Sequence, residues 1–451
     1  MELKGKKVLV VGLGKSGLAA ALFLRRRGAQ VTVSDVRSAA ALAKEIPALI
    51  EAGIMVETGG HGLLTFRRQD LIVVSPGVPL NTPEVAQVRS FGLPVIGELE
   101  LAARFIKGKM LAITGSNGKT TTTALVGEIL RKAGLPTLVG GSVGEPVTAL
   151  IDESTDESWS VLEVSSLQLE ATDRFHPAIA VILNMTPGHL DRHGSFESYA
   201  SAMERIFAAQ DERDGVVLNA DNARASEAAS RTAAKVYRFS VEHPVEQGAW
   251  LEEGNAVFCP APDAAVEIVM PLRGIPLKGA HNVENVLAAV VAARLAGAPA
   301  EAIRQAVESF QAVEHRLEYV ATHNGVDFYN DSKATNVEAA AKAVAAFDAG
   351  IHLILGGKDK GSEYALLAPL LRERVRTVYT IGAAAAKIES QLRGAVPIES
   401  CETLENAVVA AASAARPGEV VLLAPACSSY DQFESYEHRG RAFKKLVSER
   451  R

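Results

Sequence analysis

Ala112-Ile-Thr-Gly-Ser-Asn-Gly-Lys-Thr-Thr-Thr-Thr123 stands where an apolar run stops and a helical pattern begins. Residues 110–113 read as a strand. Leu125, Val126, Ile129, Leu130 and Ala133 share one face of a helix that Gly134 ends. A helix N-terminus presents unpaired N–H groups and partial positive charge, which suits phosphate. Gly115 and Gly118 allow close backbone approach, Lys119 supplies a mobile cation, and Thr120 offers a hydroxyl to Mg²⁺. The strict Walker spacing has a further glycine where Ile113 stands, so the loop is a variant. Many glycine turns precede helices without binding anything. The flanking strand and helix, with Lys-Thr in place, favour a nucleoside triphosphate.

Composition bounds what surrounds this loop. A length of 451 residues suggests about three domains, at roughly 150 residues each. The chain is 48% hydrophobic and 22% charged, ordinary for a soluble globular protein. A formal net charge of −6 without a basic block argues against nucleic acid as partner. Cys259, Cys401 and Cys427 lie far apart and form no CxxC pair, which fits a reducing cytosol. Lys4, Lys6 and Lys7 precede an apolar run that breaks at Gly12 and Gly14, too short for a secretory signal. No apolar stretch approaches the ~20 residues of a membrane helix, so no membrane insertion is expected.

The patterns predict an α/β chain in three domains: 1–97, 98–312 and 313–451. In the first, residues 8–11 form a strand, 12–17 a GxGxxG turn and 18–27 a helix. A second strand over 31–33 leads to Asp35. That fingerprint holds a ribose in dinucleotide enzymes, and other nucleotides in many α/β proteins. Residues 71–74 end at Ser75-Pro-Gly77-Val-Pro79, on the edge where open α/β sheets bind ligands. The second domain places Glu163, Ser165 and Ser166 after one strand and Asn184 and His189 after another. Residues 242–271 are polar, rich in Pro and Glu, and show no clear element. In the third, strands over 326–329, 352–355, 378–381 and 420–423 alternate with helices such as 337–347. That alternation predicts a mostly parallel sheet.

Glu163 lies in an otherwise apolar strand, where an unpaired carboxylate is costly. Beside a phosphate loop, Mg²⁺ is a better partner for it than a structural Lys or Arg. His189 follows a strand end and is a stronger candidate than His193, which reads as surface decoration. Asn330-Asp-Ser-Lys-Ala-Thr-Asn336, Gly356-Gly-Lys-Asp-Lys-Gly361 and Pro425-Ala-Cys-Ser-Ser-Tyr-Asp-Gln-Phe433 each follow a strand of the third sheet. Three polar loops on one edge describe a small-molecule pocket, in which Lys360 and Ser429 can grip a carboxylate. Cys427 has no nearby His in sequence and reads as a small buried residue.

TGSNGKTTT, EVSSLQLE, LNMTPGHLDRH, GAHNVEN, EHRLE and NDSKATN occur in this order across essentially the whole chain. In this the sequence resembles the Mur ligases. With PACSSYDQF and GLGKSG added, it is most similar to their D-glutamate-adding branch. The resemblance implies an N-terminal Rossmann-like domain for UDP, a central P-loop ATPase-type sheet, and a C-terminal Rossmann-like domain for the amino acid. It implies a cytoplasmic, monomeric ligase that joins D-glutamate to UDP-N-acetylmuramoyl-L-alanine, using ATP and two Mg²⁺ ions through an acyl phosphate.

Carried across by motif, Gly115, Ser116, Asn117, Gly118, Lys119, Thr120 and Thr121 hold ATP, with Asn282, Asn285, Arg316 and Asp331. Lys119, Glu163 and His189 are the catalytic set, and Thr120, Glu163 and His189 the metal ligands. Gly14, Lys15, Ser16, Asp35, Arg37, Ser75, Gly77 and Ser142 fall on the UDP-substrate side. Lys333, Thr335, Lys360, Ser429 and Tyr436 fall on the glutamate side. Three positions depart from the family: Ser142 replaces an asparagine, Gly188 an acidic residue, and Met203 a lysine that is carbamylated in relatives. A thioether is a poor Mg²⁺ ligand, so Glu204 or water is the expected substitute there. Three other readings compete: a sibling ligase for another amino acid, a non-catalytic nucleotide-binding relative, and an NAD-dependent oxidoreductase suggested by GxGxxG with Asp35.

Overall fold

Runs such as Lys-Val-Leu-Val-Val, with Val8 to Val11 wholly buried, can only be central strands covered on both faces. Three sheets are built from runs of this kind. The computed structural model describes residues 1–311 and 313–450, so residue 312, the expected end of the central domain, lies outside the described residues. The chain divides into two compact units: 1–275 with 284–309, and 276–283 with the chain from 310 onward.

The first unit holds two sheets. Five parallel strands lie in the order Met55–Thr58, Gln30–Asp35, Lys7–Val11, Leu71–Val74, Val95–Gly97. Strand order reverses at Lys7–Val11, which places the following GLGKSG turn at the switch point where α/β sheets bind ligands. The helix after it, Lys15–Arg26, begins earlier than the expected residue 18. Gly17 is therefore helical, and a Cβ there would stand 2.0 Å from the Gly12 carbonyl oxygen.

The second sheet has nine strands. Six are parallel: Lys235–Ser240, Gly215–Asn219, Ile179–Ile182, Lys109–Thr114, Trp159–Glu163 and Thr137–Gly141. The other three, Gly248–Glu252, Asn255–Cys259 and Glu267–Pro271, extend one side, and the last two pairings are antiparallel. These three strands come from the stretch that showed no clear element in sequence. Ala249, Trp250, Val257, Phe258 and Met270 are buried, but prolines and acids in the connecting turns obscure their short patterns.

The second unit carries six strands in the order Glu318–His323, Val326–Asn330, Val420–Leu423, Ile351–Gly356, Val375–Ile381, Ile398–Glu402. All neighbours are parallel except the first pair. Val326–Asn330, Val420–Leu423 and Ile351–Gly356 are adjacent, so the three polar loops that follow them leave the sheet side by side. Among the described residues, no helix is long and apolar enough to cross a membrane.

Candidate active site

The strand Lys109–Thr114 lies between Ile179–Ile182 and Trp159–Glu163, and its loop is clamped from one side. The Asn117 N–H donates to Asn184 Oδ1 at 2.8 Å, and Asn184 Nδ2 returns a bond to the Asn117 carbonyl at 3.1 Å. Ser116 Oγ donates to the Thr186 carbonyl at 2.9 Å and receives the Tyr199 hydroxyl at 3.2 Å. Gly118 caps the helix Lys119–Lys132 at φ 88°, and a Cβ there would stand 2.2 Å from Asn285 Oδ1. Lys119 Nζ folds back onto the carbonyls of Gly115 at 2.6 Å and Ser116 at 3.2 Å. Asn117 Nδ2 is buried with no acceptor among the described residues. An oriented donor without an acceptor, beside a helix N-terminus and a folded-back lysine, is a built anion cradle.

Glu163 ends its strand opposite Ile113 of the phosphate strand and Gly141 of the next. It is 4% exposed, and no Lys or Arg among the described residues pairs with it. A buried carboxylate left without a cation, at the end of a strand paired with the phosphate strand, offers the hard oxygen donors that Mg²⁺ takes. The first metal site therefore fits the residues present.

The second does not fit as well. Met203 is fully buried among apolar neighbours. Glu204, the expected substitute, is already held by Arg224 at 2.5 Å and Arg231 at 2.7 Å, so its charge is spent on the helix surface. His189 is exposed and sits at φ 51° as the cap of the short helix Leu190–His193. His193 is corrected from surface decoration to a residue whose side chain is 1% exposed and bonded to Ser166 Oγ and Glu170 Oε1.

A cleft of about 490 Å³ gathers Gly14, Lys15, Ser16, Asp35, Arg37, Ser75, Gly77 and Ser142, with His61 and Gln168. All eight expected substrate-side residues of the first unit thus meet in one place. Asp35 Oδ2 accepts the Leu13 N–H at 2.7 Å, and Arg37 grips both carboxylate oxygens at 2.9–3.0 Å. Burial raises its pKa, but the Arg37 side chain and the N–H groups of Arg37 and Leu13 outweigh it and hold the group at about 2. Asp35 thus organises the turn and orients Arg37. Gln168 was missing from the sequence-based set, and Asn184 was noted there only as a polar group after its strand; both are uncharged, and only the fold brings them to their loops.

In the second unit, Arg439 is 1% exposed and ties two loops together. It donates to Ser332 Oγ at 2.9 Å, the Ser332 carbonyl at 2.8 Å and the Cys427 carbonyl at 3.2 Å. The third loop joins through Lys358 N–H to the Ser428 carbonyl at 2.8 Å and Ser428 Oγ to the Lys358 carbonyl at 3.0 Å. Lys333 Nζ lies 3.7 Å from the Tyr436 ring centroid, a cation–π contact. Thr335 lies in the same loop as Lys333, Ser429 is buried and Lys360 is exposed. Asp331 is pushed up to about 7 by burial, against the pull of Arg316 and the Leu317 N–H. Asn282 belongs to this unit, whereas Asn285 belongs to the first.

Comparison with known proteins agrees with this arrangement. The Mur ligase MurD-like N-terminal domain matches residues 6–97, the Mur ligase middle domain 113–293, and the Mur ligase glutamate ligase domain 315–427. The chain belongs to the Mur ligase family. A UDP-N-acetylmuramoylalanine–D-glutamate ligase from Acidobacterium capsulatum is 69% identical over 99% of this chain and 97% of its own. A protein of the same name from Koribacter versatilis is 59% identical over 99% of this chain and 98% of its own. The UDP-N-acetylmuramate–alanine ligase MurC from Thermotoga maritima shares the fold. It has a TM-score of 0.60 and 20% identity, covering 98% of this chain and 99% of its own. This Mur ligase is an enzyme that forms carbon–nitrogen bonds with ATP in peptidoglycan synthesis.

Proposed function

We propose that this Mur ligase adds D-glutamate to UDP-N-acetylmuramoyl-L-alanine, giving ADP and phosphate, as a monomer in the cytoplasm. The observation that carries the choice of amino acid is the run of relatives named for D-glutamate addition, matched over 99% of the chain. The working domain boundaries remain 1–97 for UDP, 98–312 for ATP and 313–451 for the amino acid.

In this reading the 490 Å³ cleft takes the UDP moiety, with Arg37 and Lys15 toward its charges. The phosphate loop takes ATP, with Asn282, Asn285, Arg316 and Asp331 contributing. The acceptor carboxylate is a poor electrophile, so it first takes the γ-phosphoryl group and becomes an acyl phosphate. Two anions approach in that step, and Lys119, released from its loop carbonyls, offsets their repulsion. Thr120 and Glu163 would hold Mg²⁺, which would neutralise part of the phosphate charge. His189 stands on the acceptor side, while Lys333, Thr335, Lys360, Ser429 and Tyr436 hold D-glutamate. Its neutral amine attacks the acyl carbon, and phosphate leaves through a tetrahedral intermediate. Assembling three substrates calls for residues from separate domains.

Mass spectrometry of the product tests this directly. A gain of one glutamyl residue with D-glutamate and none with L-glutamate is the expected result. A gain with another amino acid alone moves the chain to a sibling ligase. One observation, the buried Met203, favours a second reading in which the chain binds its ligands without turnover; an unchanged acceptor mass with every amino acid would support that.

A further inference from the structure

We infer that His193 is a positioning residue for His189, acting through a hydrogen-bonded Ser166–His193–Glu170 chain that fixes the helix Leu190–His193. This rests on the reading of His189 as an acceptor-side residue.

The helix has four residues and cannot hold itself by its own ladder. His189 caps it with a left-handed backbone, which a residue with a Cβ keeps only when its surroundings enforce it. The surroundings converge on His193. Its Nε2 lies 3.0 Å from Ser166 Oγ and its Nδ1 2.9 Å from Glu170 Oε1. Glu170 is an acceptor, so Nδ1 carries a proton, and in the neutral ring Nε2 accepts from the Ser166 hydroxyl. The neutral imidazole is then satisfied on both nitrogens.

Ser166 begins the helix Ser166–Leu169 and Glu170 caps its end, so one imidazole spans that helix from end to end. The helix follows the strand that carries Glu163, while the His189 loop follows Ile179–Ile182. These strands flank the phosphate strand on opposite sides. The chain therefore bridges the two walls of the site. Arg192 adds a bond to the Gly77 carbonyl at 3.0 Å, and the His193 ring packs 5.3 Å from that of Tyr199. Removal of the imidazole frees the His189 backbone to leave its strained conformation, while the bonds from Asn184 and Thr186 still clamp the phosphate loop.

A double-mutant cycle on the full-length enzyme tests this, with phosphate release read against UDP-N-acetylmuramoyl-L-alanine and against ATP. His189→Ala and His193→Ala are each expected to lower kcat/KM for the acceptor about tenfold or more. KM for ATP in His193→Ala should stay within about twofold, and the double variant should lose little beyond His189→Ala alone. Ser166→Ala, which removes a single hydroxyl, should show a smaller loss in the same parameter; it carries the cycle if His193→Ala does not fold. Additive losses, an unchanged acceptor kcat/KM beside an impaired His189→Ala, or a parallel rise in KM for ATP would overturn the inference. A fully active His189→Ala contradicts the role given to His189 and removes the inference with it, which separates the two failures.

Discussion

Lys119 donates to the carbonyls of Gly115 and Ser116, so the cation that phosphate needs already lies over the loop. Lys119→Met removes the charge and keeps much of the aliphatic stem. It should fold normally, with a melting temperature within a few degrees of wild type, and lose about a thousandfold or more in phosphate release. Asp35 makes a prediction about pH. Its folded pKa of about 2 lies below the ordinary 3.8, so folding favours the ionised form. The stabilisation is complete above pH ~4 and disappears as pH falls toward 2. Melting temperatures between pH 5 and 2 should therefore drop less steeply in Asp35→Asn than in wild type; parallel curves would refute the assignment. Glu163 was legible because a charge in an apolar strand stands out, and Lys119 and Asp35 because they hold fixed places relative to glycine-turn motifs. His193 was not, because nothing in the spacing of a lone histidine reveals that Ser166 and Glu170 will enclose it.

The strand–loop–helix around residues 109–132 was readable at the level of the element, since burial on both faces and the glycine positions agree. Gly118→Ala is the sharpest test of that element. The new Cβ meets Asn285 Oδ1 at 2.2 Å on a left-handed backbone, so nucleotide affinity measured by calorimetry should fall at least tenfold. The loops of the second unit were legible one by one, but their adjacency required the strand order, and their anchor required Arg439. Burial pulls that guanidinium down to about 10, and carbonyl and hydroxyl oxygens accept its hydrogen bonds. Arg439→Met leaves those acceptors unsatisfied and should cost about 3 kcal/mol or more in chemical denaturation. The three strands between 248 and 271 escaped sequence reading for a different reason. Each is five residues long, too short for a period-2 pattern to emerge between prolines and acids.

Two compact units, the first with two sheets and the second with one, each with its own core, set the expectation for the whole molecule. Calorimetry should resolve two unfolding transitions without ligand, and Mg²⁺ with a non-hydrolysable ATP analogue should raise that of the first unit, which carries the phosphate loop. The architecture was legible as three α/β sheets; the grouping of two of them into one unit was not, because contacts such as Arg192 to the Gly77 carbonyl join residues 115 positions apart. The central claim is a ligase that needs both acceptor and D-glutamate before it releases phosphate. The measurement that tests it most directly is phosphate release from Mg·ATP with UDP-N-acetylmuramoyl-L-alanine, comparing D-glutamate, L-glutamate, D-alanine, L-lysine and meso-diaminopimelate. Release that depends on the acceptor and is confined to D-glutamate is the expected result. Release with a different amino acid, or none with any of them, would contradict it.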